Sequence, residues 1–277
     1  MPVSPSTIEE TVHTALREDI GDGDITSELI PADAVSLANV ISREACVFCG
    51  VDWFEEVFRQ IDDQVYIEWQ VEDGDSVAAG EAICSLSGPS RSLLTGERTA
   101  LNFIQTLSAT ATVASSYARA VEGTSTVVLD TRKTIPGLRA AQKYAVTCGG
   151  CQNHRMGLYD AILIKENHIL AAGTIESAVE QARFHSPGYP VEIEVESIAQ
   201  LEQAIAASVD RVLLDNFTTD QIRQAVELSN GKIPLEASGG ITLENIREYA
   251  DTGVDYISTG SLTKDIIAID LSMRFTM

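Results

Sequence analysis

Six short apolar runs in the second half of the chain each lead into residues that can do chemistry. TVVLD (126–130) is followed by Thr131, Arg132 and Lys133. AILIK (161–165) ends in Lys165, with Glu166, Asn167 and His168 behind it. PVEIEV (190–195) carries Glu194 and precedes Glu196, and RVLLD (211–215) ends in Asp215 with Asn216 next. IPLEA (233–237) runs into Ser238, Gly239 and Gly240, and VDYIST (254–259) into Gly260 and Ser261. The first two groups are cationic and suit a ligand bearing carboxylates or phosphates, either of which arginine grips with two parallel N–H donors. Glu194 and Asp215 offer hard oxygens of the kind that hold Mg²⁺, or that bind ribose hydroxyls. The glycine turns expose backbone N–H groups, which cradle phosphate. Together these groups describe a substrate with a phosphate, a diol or a Mg²⁺-bound pyrophosphate, and a second anionic portion, as in phosphoribosyl transfer. An aldolase with Lys165 as Schiff-base nucleophile is the alternative, although surrounding anions oppose the lowered pKa it needs.

The elements that must place these residues alternate. The six apolar runs are separated by helix-length segments, several opening on cap signals: Ser197 with Gln200, Thr218 with Gln221, and Thr242. Such alternation implies a parallel sheet, and six or seven units imply a full or incomplete βα barrel, whose active site lies at the C-terminal ends of the strands. The first half reads as α+β. A helix is expected over 7–18 with Thr7 and Glu10 as a capping box, and another over 52–60 capped by Asp52. Strands are expected at 35–41, at 65–71 and after the DGDSVAAG turn. A long helix from about 96 to 121 puts Arg98 in its first turn, as a surface ion pair or a ligand. VEDGDSVAAGEAI resembles the turn of biotinyl and lipoyl domains, but residues 1–132 contain no lysine for attachment. The expected division is an N-terminal α+β sandwich-like domain over 1–110 and a βα-barrel domain over 111–277, with the C-terminal tail able to pack back on the first.

Net charge is −22, from 41 acids and 19 bases, which disfavours a nucleic-acid partner. Five of the bases are lysines. A surface so acidic suits a high-salt cytoplasm, where screening removes self-repulsion. Residues 130–170 hold six bases and three acids, so this stretch is +3 and the remainder −25, pointing to a small anion bound there. No run reaches the ~20 apolar residues of a membrane helix, and no signal peptide is legible, so a cytoplasmic location without a membrane partner is expected. The cysteines are Cys46, Cys49, Cys84, Cys148 and Cys151. Their two Cys-x-x-Cys pairs read either as reduced thiols or, joined, as a four-thiolate zinc site.

GERTALNFIQTLSATAT (96–112), DTRKTIPGLRAAQKYAV (130–146), NHRMGLYDAILIKENHI (153–169), VEIEVES (191–197), LLDNF (213–217), LEASGGIT (235–242) and VDYISTGSLT (254–263) resemble the quinolinate phosphoribosyltransferase family, over about residues 15–265. The resemblance implies an N-terminal sandwich-like domain, an incomplete βα barrel and a head-to-tail homodimer in which Arg98 completes the partner's site. It implies that Arg98, Arg132, His154, Arg155 and Lys165 bind the two quinolinate carboxylates, with Thr131 and Lys133 lining the pocket and Lys133 near the pyrophosphate. Glu194 and Asp215 would serve the ribose and Mg²⁺, and Ser238, Gly239, Gly240, Gly260 and Ser261 the 5′-phosphate. Lys133, Lys165, Glu194 and Asp215 would be the catalytic groups. The implied substrates are small molecules, and no organic cofactor is expected. Cys151 stands where the family has the third glycine of a run. The alternatives are a nicotinate-acting relative or molybdate-transport-linked paralogue on the same fold, and a metal-binding regulator using the Cys-x-x-Cys pairs.

Overall fold

The computed structural model describes residues 3–276, and its contacts divide the chain into two compact units. The first comprises 1–115, 134–150 and 262–277, and the second 116–133 and 151–261. A single cut at 110/111 therefore differs from the division the contacts make: the chain leaves the second unit at 133 and returns to it at 151.

In the first unit, α1 (Pro5–Ile20) begins two residues before the expected start. Ser4 Oγ accepts the Thr7 N–H, and Pro5, whose fixed φ suits the first helical position, follows it. Then come β1 (Val35–Ser42), β2 (Cys46–Val47) and α2 (Val51–Ile61). Asp52 lies inside α2 and does not cap it. The cap comes from Asp73, whose Oδ1 accepts from Gly50 N (2.7 Å) and Val51 N (3.2 Å). β3 (Tyr66–Trp69), β4 (Ser76–Val77) and β5 (Ala82–Pro89) lead into α3 (Ser90–Ala120). Because α3 starts at Ser90, Arg98 is well inside the helix and not in its first turn. An antiparallel sheet is ordered with β12 (Leu271–Thr276) at one edge, then β1, β5 and β3. The C-terminal tail thus pairs with the first strand, with Val40 opposite Met273. Trp53, Phe54, Val57 and Phe58 of α2 pack with Ile83 and Leu86 of β5 and Leu101, Ile104 and Leu107 of α3 in one core. α4 (Arg139–Cys148) adds Ala141 and Ala145 to it.

The second unit holds β6 (Val127–Leu129), β7 (Ile162–Ile164), α5 (Glu166–Ala172), α6 (Ile175–His185), β8 (Val191–Val195) and α7 (Ile198–Ala206). After them come β9 (Arg211–Asp215), α8 (Thr219–Ser229), β10 (Leu235–Ser238), α9 (Ile246–Ala250), β11 (Tyr256–Ser258) and the start of α10 (Ser261–Lys264). All six strands are parallel, in the order β6-β11-β10-β9-β8-β7. That order runs round a cycle and leaves one seam, between β6 and β7, so this is an incomplete βα barrel. The 134–150 excursion leaves the unit between those two strands. Gln152, on the returning chain, makes a parallel bridge to Leu129. The strands are near-continuous apolar runs because both faces are covered. Ser197 and Thr218 cap α7 and α8 as their spacing predicts. Thr242 does not cap α9; its N–H donates to Asn245 Oδ1 (2.8 Å), and the helix begins after Asn245.

Candidate active site

The strand ends of the second unit bring most of the expected residues to one rim. Register sets Asp215 beside Ser238 and Glu194 beside Leu213. Lys165, just past β7, forms an ion pair with Glu194 on β8. Pairing with Glu194 takes up the amine that a Schiff-base nucleophile would need free. Asp215 Oδ2 accepts from Asn216 Nδ2 (2.9 Å). The Ser238-Gly239-Gly240 turn is pressed against the end of β9. Gly239 has φ +98°, and a Cβ there would lie 2.2 Å from Asn216 Oδ1. Asn245 Nδ2 donates to Gly240 O (3.2 Å), and Thr259 Oγ1 joins β11 to this loop through Ile241 O (3.1 Å). Neither glycine turn opens a long helix: α9 starts six residues after Gly240, and α10 is four residues long.

The cations are divided between the two units. Arg139 and Lys143 belong to the first unit, and Lys143 is buried there. Arg98 is exposed on α3, also in the first unit. Arg132, Lys133, Arg155 and Lys165 belong to the second. Burial holds the Arg155 guanidinium below its ordinary pKa, and the neighbouring positive charge of Arg132 adds to this. Arg132 Nε is buried without a hydrogen-bond partner. Two adjacent guanidiniums, one presenting a buried Nε donor, make a site suited to an anion. Thr131 Oγ1 accepts the Lys133 N–H (3.1 Å), shaping the turn, and Lys133 itself is exposed.

His154 sits below this rim. Its backbone N–H donates to the fully buried Asp130 (2.9 Å), which also accepts from Asn153 Nδ2 (2.7 Å). In the neutral ring His154 Nδ1 accepts the Arg155 N–H (2.8 Å), and Nε2 lies 3.0 Å from Glu192 Oε2 and 3.3 Å from Glu236 Oε2. Arg211 reaches Glu236 (3.1 Å) and stacks over the Tyr256 ring at 4.2 Å. Burial alone would lower the imidazole pKa; the hydrogen bonds and charges of Glu192 and Glu236 reverse this and raise it to about 9. His154, Glu192, Glu236 and Arg211 thus form a buried charge cluster. The motifs singled out only His154 among them. A period-two argument could have found Glu192, since it lies on the same strand face as Glu194. His168 Nδ1 accepts the Lys165 N–H (2.9 Å), and the Glu196 N–H donates to Gln200 Oε1 (2.7 Å), so both shape helix starts.

Residues 110–274 match the C-terminal domain of quinolinate phosphoribosyl transferase, and residues 24–108 match its N-terminal domain. The chain belongs to the quinolinate phosphoribosyltransferase family. Within that family it is 43% identical over 262 residues to the probable nicotinate-nucleotide pyrophosphorylase (carboxylating) of Bacillus subtilis, covering 94% of this chain and 90% of that protein. It is 41% identical over 273 residues to the corresponding Mycobacterium leprae protein, covering 95% of each. The structure of the Francisella tularensis nicotinate-nucleotide pyrophosphorylase superposes with a TM-score of 0.97 at 48% identity, covering 99% of this chain and 98% of that one. The Gly149-Gly150-Cys151 turn accepts a side chain at its third position for a backbone reason. Gly150 takes φ +89° and a Cβ on Gly149 would strike Ala111 O at 2.3 Å, whereas Cys151 is not among the positive-φ residues. Among the described residues, no helix is long and apolar enough to cross a membrane.

Proposed function

We propose that this protein transfers the phosphoribosyl group of phosphoribosyl pyrophosphate to quinolinate and releases CO₂, giving nicotinate mononucleotide and pyrophosphate. The observation that carries the reading is the Arg132–Arg155 pair with its unmet buried Nε donor. It fits a planar dicarboxylate, since each carboxylate accepts two parallel N–H groups. Lys165 adds a third cation on the same rim, already oriented by Glu194. His154 acts one layer below: it ties the Arg155 backbone to the Glu192–Glu236 pair and thereby fixes where Arg155 points. The clamped pyridine nitrogen attacks C1 of the ribose as pyrophosphate departs, and its position supplies the near-attack geometry. The nitrogen becomes cationic and draws electrons from the ring, so the carbanion left by CO₂ loss is stabilised within the substrate itself. No organic cofactor is required for that step. The Gly239–Gly240 and Gly260–Ser261 turns receive the 5′-phosphate, and Lys133 faces the leaving pyrophosphate.

Glu194 and Asp215 are an oxygen donor set on adjacent strands, and this fits Mg²⁺ held directly or through water. When bound, the ion supplies charge neutralisation to the leaving pyrophosphate. The exposure of Arg98 on the first unit suits a head-to-tail homodimer in which it serves the partner's site. The composition suits a cytoplasmic protein working at high salt. Purified protein incubated with phosphoribosyl pyrophosphate, Mg²⁺ and either quinolinate or nicotinate tests the reading. Nicotinate mononucleotide and CO₂ formed from quinolinate alone support it. Product only from nicotinate, or no product in low or molar salt, refutes it.

A further inference from the structure

The two Cys-x-x-Cys pairs do not assemble into one thiolate site. Cys46 Sγ lies 3.9 Å from Ser42 Oγ, and Cys151 belongs to the second unit. One cysteine of each pair nonetheless meets the other inside the first unit. Cys49, Cys148 and Asp73 bring two sulfurs and a carboxylate oxygen within 4.8 Å of one another. In a tetrahedral zinc site, Zn–S and Zn–O bonds of about 2.3 and 2.1 Å put neighbouring ligand atoms about 3.5–3.8 Å apart. Small side-chain movements close the remaining gap.

Three separate elements present these atoms, and each is held. Cys49 is fully buried just before α2, its N–H donating to Ser108 Oγ (3.0 Å) and its carbonyl accepting from the same hydroxyl (3.3 Å). Asp73 Oδ1 is fixed by the N–H groups of Gly50 and Val51, and Asp73 Oδ2 accepts from Tyr144 Oη (2.8 Å). Cys148 is the last residue of α4, one turn beyond Tyr144, and is half-buried. Hydrogen bonds that orient a ligating carboxylate are the usual outer layer of a metal site. Tyr144 donates to Asp73 and so orients its carboxylate toward the two sulfurs.

Two sulfurs with one carboxylate select a soft, borderline cation over Mg²⁺. We propose that Cys49, Cys148 and Asp73 form a binding site for a thiophilic divalent cation of the zinc type, with water in the fourth position. The site stands apart from the phosphoribosyl-transfer reading and does not depend on it.

Cobalt reports this directly. Reduced full-length protein, free of substrates, is titrated with Co²⁺ and then with Zn²⁺ while absorbance is recorded. The expected result is about one Co²⁺ per chain, with a sulfur-to-metal charge-transfer band and the strong visible bands of tetrahedral coordination, all displaced by Zn²⁺. Cys148→Ser abolishes the charge-transfer band or weakens binding more than tenfold, and Cys151→Ser leaves it intact. Tyr144→Phe keeps all three ligands and weakens binding about tenfold by freeing Asp73. Circular dichroism of each variant confirms its fold. No charge-transfer band from reduced wild-type protein overturns the proposal, as does a band unchanged in both Cys148→Ser and Tyr144→Phe.

Discussion

Replacing His154 by asparagine removes the one imidazole facing Glu192 and Glu236, and the cost can be worked from the geometry. The groups around the ring are Glu192 on β8, Glu236 on β10, Arg211 on β9 and the carboxylate of Asp130 beneath its backbone. Folding raises the imidazole from 6.5 to about 9. A group raised on folding stabilises fully below its unfolded value, and that contribution fades as pH climbs through the folded one. At about 1.4 kcal/mol per pKa unit the difference amounts to about 3 kcal/mol at pH 6. For a chain of this size that shifts the melting temperature by roughly 6–12 °C. Guanidinium unfolding of wild type and His154→Asn at pH 6 and pH 10 measures it. The expected gap is about 3 kcal/mol at pH 6 and much smaller at pH 10, where the wild-type imidazole is neutral. Glu192→Gln in the variant recovers part of the loss, since it removes an acid left unpaired. A gap equal at the two pH values, or none at pH 6, refutes the charged cluster.

Three further outcomes follow from the same geometry. Arg132→Lys keeps the charge but loses the buried Nε donor, so the quinolinate KM rises roughly tenfold or more while the KM for phosphoribosyl pyrophosphate changes little; steady-state kinetics with each substrate varied checks this. Gly239→Ala must force its methyl group into Asn216 and adopt a φ of +98°, a strain of about 1–3 kcal/mol. The KM for phosphoribosyl pyrophosphate rises as the turn shifts, and a variant with unaltered kinetics counts against a phosphate role for the turn. With a net charge of −22, the protein resists urea better in molar than in low NaCl, and unfolding midpoints measured across salt concentrations test this.

The barrel half was legible because each strand is a short apolar run covered on both faces, and because Ser197 and Thr218 sit three residues before the glutamines that complete their caps. α2 was misread at its start because its cap comes from Asp73, beyond any local window. α3 begins early because Leu93 is wholly buried, and tertiary packing outweighs the polar residues around it. At the rim, Lys165, Glu194, Asp215 and the glycine turns could be placed by following each strand to its end. Glu236 could not, since a buried carboxylate there makes sense only beside Arg211 and His154, which arrive from elsewhere in the chain. The +3 stretch is divided between the units: Arg139 and Lys143 belong to the first, where Lys143 is buried, and Arg132, Lys133, Arg155 and Lys165 to the second.

The pairing of β1 with β12 has a consequence for biogenesis. A ribosome makes Val35–Ser42 early and its partner Leu271–Thr276 only after every strand of the second unit, so the first unit waits on the second for its edge strand. Until the C-terminus emerges, β1 carries an open row of backbone donors and acceptors, the kind of edge that invites pairing with another chain. A nascent chain stalled near residue 260 therefore offers a complete set of barrel strands and an unsealed sheet. Such chains depend on chaperones or fall to proteases, and a short C-terminal truncation reduces yield through aggregation more than through loss of the active-site residues themselves.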